Sequence, residues 1–301
     1  MSELVSPVAA SPLAFRAKLA AYVELAKPRL TSLVLVTVAA GFAAALPAGP
    51  DWVLLLQTVA AVGLVAGGGG ALNMYLERDL DLRMHRTRTR PIPSGRLTAI
   101  QALAFGVYAS VAGLAWLWVA TNELATFFAA LALTNYVFVY TPLKVRTSLN
   151  TLVGAVTGAL PPVIGWAAAS GGISAGAGLL FAILFVWQMP HFLVIAWLCR
   201  DDYARAGMKM ISVLDPTGGA TMRQIVLFSL TQLPVSLLPV ASGLAGIRYF
   251  LVASAVSLAM AVLGVAFAAR RSKRTARWLF LASLLYLPLV LGTFVWDRIG
   301  A

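Results

Sequence analysis

Asn73, Glu77 and Asp81 stand four residues apart in the stretch "NMYLERDLD". At about 100° per residue they share one helical face, drifting by about 40° at each step. An amide oxygen and two carboxylates are hard donors, the kind magnesium takes when phosphate oxygens complete its shell. A second acidic pair, Asp201 and Asp202, opens "DDYARAGMKM". Basic side chains accompany both: Arg90 after the first cluster, Lys209 after the second, and Lys144 and Arg146 between them. Metal-binding acids beside anion-gripping bases are what a diphosphate site needs, first to hold the group and then to stabilise it as it leaves. Asp79 lies off the shared face, and its spacing predicts a local pair with Arg83 at i+4.

Both acidic clusters end long apolar runs. The 301 residues are 60% hydrophobic and 11% charged, whereas a soluble domain is about a quarter charged. Composition therefore predicts an all-α polytopic membrane bundle. Nine apolar runs are long enough to span, at about 30–47, 53–76, 99–119, 123–141, 151–169, 174–198, 222–243, 249–269 and 278–296. On this map all but two of the 23 Lys and Arg residues fall on one side, with Arg248 and Arg298 on the other. Such segregation predicts a cytoplasmic N-terminus and an outward C-terminus. The net charge of +12 then reports inner loops facing anionic lipid, not nucleic acid.

Residues 1–29 read as a cytoplasmic amphipathic segment, since Ser11, Pro12, Arg16 and Lys18 break any signal-peptide core. Residues 30–301 read as one nine-helix domain. The single cysteine, Cys199, excludes an intrachain disulfide. "GGGG" at 67–70 lies inside a span with no Walker-type lysine after it, which predicts close helix packing, not a phosphate loop. Pro161 and Pro162 predict a kink in the fifth span.

"NMYLERDLDLRMHRTRTRPIPSG" resembles the Asn-x3-Asp-x3-Asp signature of the UbiA-type intramembrane prenyltransferases. It is most similar to the branch that farnesylates protohaem, through the continuation Arg86, Thr87, Arg90, Pro91 and Pro93. "AKPRLTSL", "YTPLKVRTSLNTLVGAVTGALPPVIGW", "WQMPHFLVIAW" and "DDYARAGMKM" extend the likeness over roughly the first 70% of the chain. Two positions depart from the pattern. Glu77 stands where the superfamily usually has Asp, and "MISV" (210–213) stands where a proline-containing ending is expected. The resemblance implies transfer of the farnesyl group of farnesyl diphosphate to a vinyl group of haem b, giving haem O, with Mg2+ as cofactor. It also implies a bacterial inner-membrane location and a possible haem A synthase or terminal-oxidase assembly partner. In that chemistry Asn73, Glu77, Asp81 and Asp202, with Asp201, hold the metal. Arg90, Lys144, Arg146 and Lys209 neutralise the diphosphate.

"WQMPHF" buries Gln188 and His191 within an apolar run. His191 and Asp202 are 11 residues apart, about 20° beyond three full turns and about 16 Å along the axis. On a continuous helix both face one cavity, His191 deep and Asp202 at the rim. His191 then either meets the porphyrin, at iron or a propionate, or satisfies a carbonyl freed by Pro190. Rival classes are a prenyltransferase for a quinone precursor or chlorophyllide, a transporter, and a haem-binding subunit. A transporter would place its charges near the midplane, and a haem subunit leaves two acidic clusters unexplained.

Overall fold

The computed structural model describes residues 15–46, 49 and 51–299, so residues 1–14 of the expected N-terminal segment lie outside the described residues. Among these residues nine helices are long and apolar enough to cross a membrane. They are Pro28–Ala45, Trp52–Leu76, Ala99–Ala120, Glu123–Leu143, Asn150–Ser170, Ala175–Leu198, Gly219–Ala241, Ile247–Arg270 and Lys273–Arg298. They match the nine apolar runs. The largest boundary difference is in the ninth span, which begins within the basic turn at Lys273.

Local chemistry fixes several starts. Asp51 Oδ1 accepts from the N–H groups of Val53 and Leu54 at 2.9 and 3.0 Å, capping the second span. Thr98 and Gln101 form a reciprocal capping box at the third. Asn122 caps the fourth, and its Nδ2 donates to Ala167 O at 2.8 Å, tying that end to the fifth span.

The fifth span is the most buried, and its backbone explains why. Pro161 and Pro162 divide it at Leu160, as the sequence predicts, into Asn150–Ala159 and Pro161–Ser170. The second half crosses the first span with almost no side chain between them. A Cβ on Gly41 would lie 2.6 Å from the Pro162 carbonyl carbon, and one on Gly165 would lie 2.8 Å from that of Val38. Small residues permit such approach where lipid removes the hydrophobic drive. The glycines at 67–70 act alike. A Cβ on Gly68 would meet Gly106 O at 2.7 Å, and one on Gly70 would meet Leu25 O at 3.1 Å. The second span packs on the third. The sixth to ninth pack in sequence, and the ninth returns against the sixth and the first.

Before the first span, a helix over Phe15–Leu25 buries Ala21 and Leu25 and exposes Phe15, Leu19 and Val23. The exposed three recur every fourth residue, an apolar stripe suited to the membrane interface. The chain then turns at Lys27, whose φ of 50° and ψ of 58° are left-handed, a costly state for a residue with a Cβ. In the fourth span, Asn135–Tyr140 form a π-helical turn. Thr141 Oγ1 donates to Tyr136 O at 2.8 Å beneath it.

Candidate active site

The spans enclose a cavity of about 460 Å3 that opens where the short helices Arg78–Asp81 and Arg200–Arg205 lie. Its size suits a small-molecule site. Val34, Val62, Val65, Ala132 and Leu133 form one apolar wall. Leu184, Trp187, His191, Phe192 and Leu287 form a more aromatic one. Charge gathers at the mouth.

Asn73, Glu77 and Asp81 all line this cavity and are all buried. Each is met by a cation. Lys27 Nζ donates to Asn73 Oδ1 at 2.6 Å and to Tyr136 Oη at 3.2 Å. Lys144 Nζ lies 2.6 Å from Glu77 Oε1 and 4.6 Å from the Tyr140 ring centroid. Arg90 Nη1 lies 2.8 Å from both oxygens of Asp81. Asn73 Nδ2 donates to Thr141 Oγ1 at 3.0 Å, which orients the amide oxygen toward the mouth. Burial works to raise the Glu77 carboxyl, but the ammonium of Lys144, with Lys27 and Arg90, holds it below the ordinary glutamate value. Burial and the nearby charges of Arg90 and Lys144 lower Lys27 to about 7, against the pull of Glu77. Two carboxylates and an amide oxygen on one face, each already beside a cation, fit a magnesium–diphosphate pair. The oxygens suit the metal and the cations suit the phosphates.

Lys27 was not among the expected site residues, because its place in a basic segment reads as topology. With this left-handed backbone its side chain reaches Asn73 at the end of the second span. Tyr136, Tyr140, Tyr203 and Arg86 also line the mouth. The π-turn sets Tyr136 and Tyr140 on the cavity with rings stacked at 5.8 Å. Met84, Met208 and Met210 complete the rim, giving it adaptable thioether surface.

The second acidic cluster does not join the first. The sixth span stops at Leu198 with Cys199 at φ −105° and ψ 14°, and beyond that point Asp202 does not line the cavity that His191 lines, whereas Asp81 does so beyond the similar break at Glu77, φ −92° and ψ 4°. Asp202 pairs with Arg205, and its Oδ1 also accepts from the His85 N–H at 3.1 Å. What burial it has would raise its carboxyl, but Arg205 and the backbone donors of His85 and Arg86 hold it low. It clamps the loop after the second span. Asp201 lies in the open beside Arg200 at 3.5 Å. Neither lines the cavity. Arg146 and Lys209 are exposed. Lys209 contributes its backbone, with its N–H donating to Lys144 O at 2.7 Å. Asp79 pairs with Arg78 at 3.8 Å, not with Arg83, because the short helix ends before Arg83. Among the described residues no three acidic, His or Cys side chains cluster as a metal cage, so metal here depends on ligand oxygens as well.

His191 does line the cavity. Its ring lies between Trp187 and Phe280, each at 5.2 Å, and its Nδ1 is 2.8 Å from Ser283 Oγ. Pro190 is carried within the helix, and the histidine does not serve a freed carbonyl.

Comparison with known proteins agrees with this architecture. The UbiA prenyltransferase family model matches residues 34–287. The protoheme IX farnesyltransferase of Solibacter usitatus (strain Ellin6076) is 46% identical over 288 residues, covering 93% of this chain and 99% of that protein. Its namesake from Koribacter versatilis (strain Ellin345) is 39% identical over 309 residues, with 99% of each chain covered. A solved digeranylgeranylglyceryl phosphate synthase superposes with a TM-score of 0.77 at 16% identity, covering 94% of this chain and 99% of that one. A UbiA homologue from Archaeoglobus fulgidus bound to DMAPP and Mg2+ superposes with a TM-score of 0.67 at 13% identity, covering 93% and 99%. This chain belongs to the UbiA prenyltransferase family.

Proposed function

We propose that the protein transfers the farnesyl group of farnesyl diphosphate to a vinyl group of protohaem IX, making haem O. The observation that carries this reading is the division of one cavity into a charged mouth, an apolar wall and an aromatic wall bearing His191. The near full-length likeness to proteins named protoheme IX farnesyltransferase supports the choice of haem over other acceptors.

An allylic diphosphate reacts as its C–O bond ionises, building charge on the leaving group. Lys27, Lys144 and Arg90 would meet that charge at the mouth, with Arg86 beside them. Preorganised charge of this kind is commonly the largest catalytic contribution. Asn73, Glu77 and Asp81 would hold Mg2+, which when bound neutralises the diphosphate and weakens the breaking bond. The apolar wall takes the C15 chain and keeps stray water from the cation. The vinyl group attacks the allyl carbon, leaving a cation beside the porphyrin ring that a water molecule quenches. His191 would face the porphyrin on the aromatic wall. Arg146 and Lys209 would draw the diphosphate toward the mouth from outside. Asp202 would act on Arg86 through the loop it clamps, and a metal role for Asp201 and Asp202 would require that loop to close further.

The likeness to bacterial relatives supports a bacterial inner-membrane location, and the charge segregation supports a cytoplasmic N-terminus, with residues 1–29 as a surface segment and 30–301 as one domain. Haem A synthase or an oxidase assembly factor would be the natural recipient of the product. Reporter fusions after Arg96 and after Arg298 should report opposite compartments, and a shared compartment overturns the topology. The function is tested by incubating purified protein with haem b and farnesyl diphosphate, with Mg2+ or a chelator, and analysing haem by mass. Metal-dependent haem O is the expected product. Unconsumed farnesyl diphosphate, or transfer to a quinone precursor in preference to haem, defeats it.

A further inference from the structure

The water that quenches the cation must be held somewhere, and one side-chain pair on the aromatic wall has the chemistry for it. Gln188 is buried, with 2% of its surface exposed. Its Nε2 donates to Ala155 O at 3.1 Å and to Leu184 O at 2.9 Å, so both amide hydrogens are used and the orientation of the amide is set. Among the described residues nothing donates to its Oε1, although the side chain lines the cavity. The close approach of Gly158 makes room for this oxygen, since a Cβ there would collide with it.

His191 stands three residues on, and side chains at that spacing are neighbours, about 5–6 Å apart at Cβ. Its protonation pattern follows from Ser283. The Ser283 hydroxyl donates to Phe280 O at 2.6 Å. A hydroxyl has one hydrogen, so at 2.8 Å from Nδ1 it accepts. The ring proton is therefore on Nδ1, and Nε2 carries a lone pair. No described residue donates to Nε2. Two acceptors thus stand one turn apart on the cavity wall, one on buried Gln188 and one on half-buried His191, both lacking a donor, and a bridging water supplies two.

We propose that Gln188 Oε1 and His191 Nε2 together hold the nucleophilic water of the hydroxylation step. This rests on the haem-farnesylating reading and assigns His191 to water rather than to iron. With both hydrogens directed at the wall, the water presents a lone pair to the cationic carbon beside the porphyrin. Its oxygen forms the C–O bond, one O–H bond breaks, and that proton passes to Nε2. The other hydrogen, whose hydrogen bond Gln188 Oε1 accepts, stays on the product hydroxyl. Ser283 is a positioning residue that keeps Nε2 unprotonated beforehand.

The test follows the product, not only the rate. Wild type, Gln188→Leu, His191→Phe and Ser283→Ala are each incubated with haem b and farnesyl diphosphate in 18O-labelled water, with haem affinity and melting temperature measured alongside. Wild type should give haem O carrying the label. Gln188→Leu and His191→Phe should still farnesylate the haem they bind, yet release farnesylated haem lighter by one water, formed by proton loss from the cation. Their labelled hydroxyl product should fall at least tenfold relative to total farnesylated haem. Ser283→Ala, which leaves the cavity wall intact, should shift the same ratio less. Fully hydrated, labelled product in unchanged proportion from all three variants overturns the proposal. So does a parallel loss of haem affinity and farnesylation, which would mark these residues as haem ligands or as structural. Should wild type itself farnesylate no haem, the functional reading fails and the proposal fails with it, a result distinct from both.

Discussion

Asp81→Asn should lower turnover by roughly a hundred- to a thousandfold, the loss expected when one preorganised electrostatic element is removed. Asp81 is fully buried beside Arg90, so the substitution acts twice. It removes a hard oxygen charge from the face proposed to hold Mg2+, and it leaves a guanidinium with 20% of its side chain exposed and without its partner. Breaking a fully buried pair costs about 3–5 kcal/mol, and this half-open one should cost less. The double variant Asp81→Asn/Arg90→Gln separates the two effects. Removing the orphaned charge should restore much of the melting temperature and none of the turnover. If activity returns with stability, Asp81 is a structural anchor for the loop and the metal face reduces to Asn73 and Glu77.

The second large effect concerns the crossing beneath the cavity. Gly165→Ala drives a methyl group into the Val38 carbonyl and to 2.9 Å from Phe42 N, all backbone atoms with no rotamer to move. Overpacking of this kind costs about 1–3 kcal/mol even where side chains can yield, so this site should stand at or above that range. Thr37 and Ile164, which flank the crossing, line the cavity. Prying the first and fifth spans apart should therefore lower the melting temperature and the affinity for the prenyl chain together. Gly172→Ala is the control, since no atom lies within 4 Å of a Cβ there. Equal stability of the two variants would show that the crossing relaxes freely.

Hydropathy makes the nine spans legible because each must present an apolar length to lipid, whatever its neighbours do. The Asn73, Glu77 and Asp81 grouping was legible from its four-residue spacing: the helix breaks at Glu77, φ −92° and ψ 4°, but i→i+4 backbone bonds from Asp81 to Glu77 and from Glu77 to Asn73 carry the spacing across the break, and all three reach the cavity. The second cluster was opaque. No glycine or proline stands at Cys199, so nothing local announces the break that turns Asp202 toward Arg205 and His85. Lys144 and Arg146 are two residues apart and indistinguishable by composition, yet only Lys144 enters the cavity. Lys27 was hidden by its company, a basic neighbourhood whose sign explains topology so well that a backbone turned left-handed by tertiary demand goes unseen. Ser283, which sets the imidazole proton, lies 92 residues from His191 and is visible only when the ninth span closes.

The wide turn at Asn135–Tyr140 holds more than its own six residues. A π-turn is an α-helix with one residue too many, and each residue in a regular helix advances the azimuth by about 100°. Everything beyond the turn is thereby phased differently from everything before it. Leu133 faces the cavity before this turn, Tyr136 and Tyr140 within it, and Lys144 beyond it. Their spacing would put all four within about 80° of one another on a regular helix, so the turn is not what gathers them. What it sets is a relay: Thr141 Oγ1 donates to Tyr136 O and accepts from Asn73 Nδ2. The irregular backbone of one membrane helix thereby holds the amide of another in place, and a repair of the turn to regular helix would be felt first at Asn73.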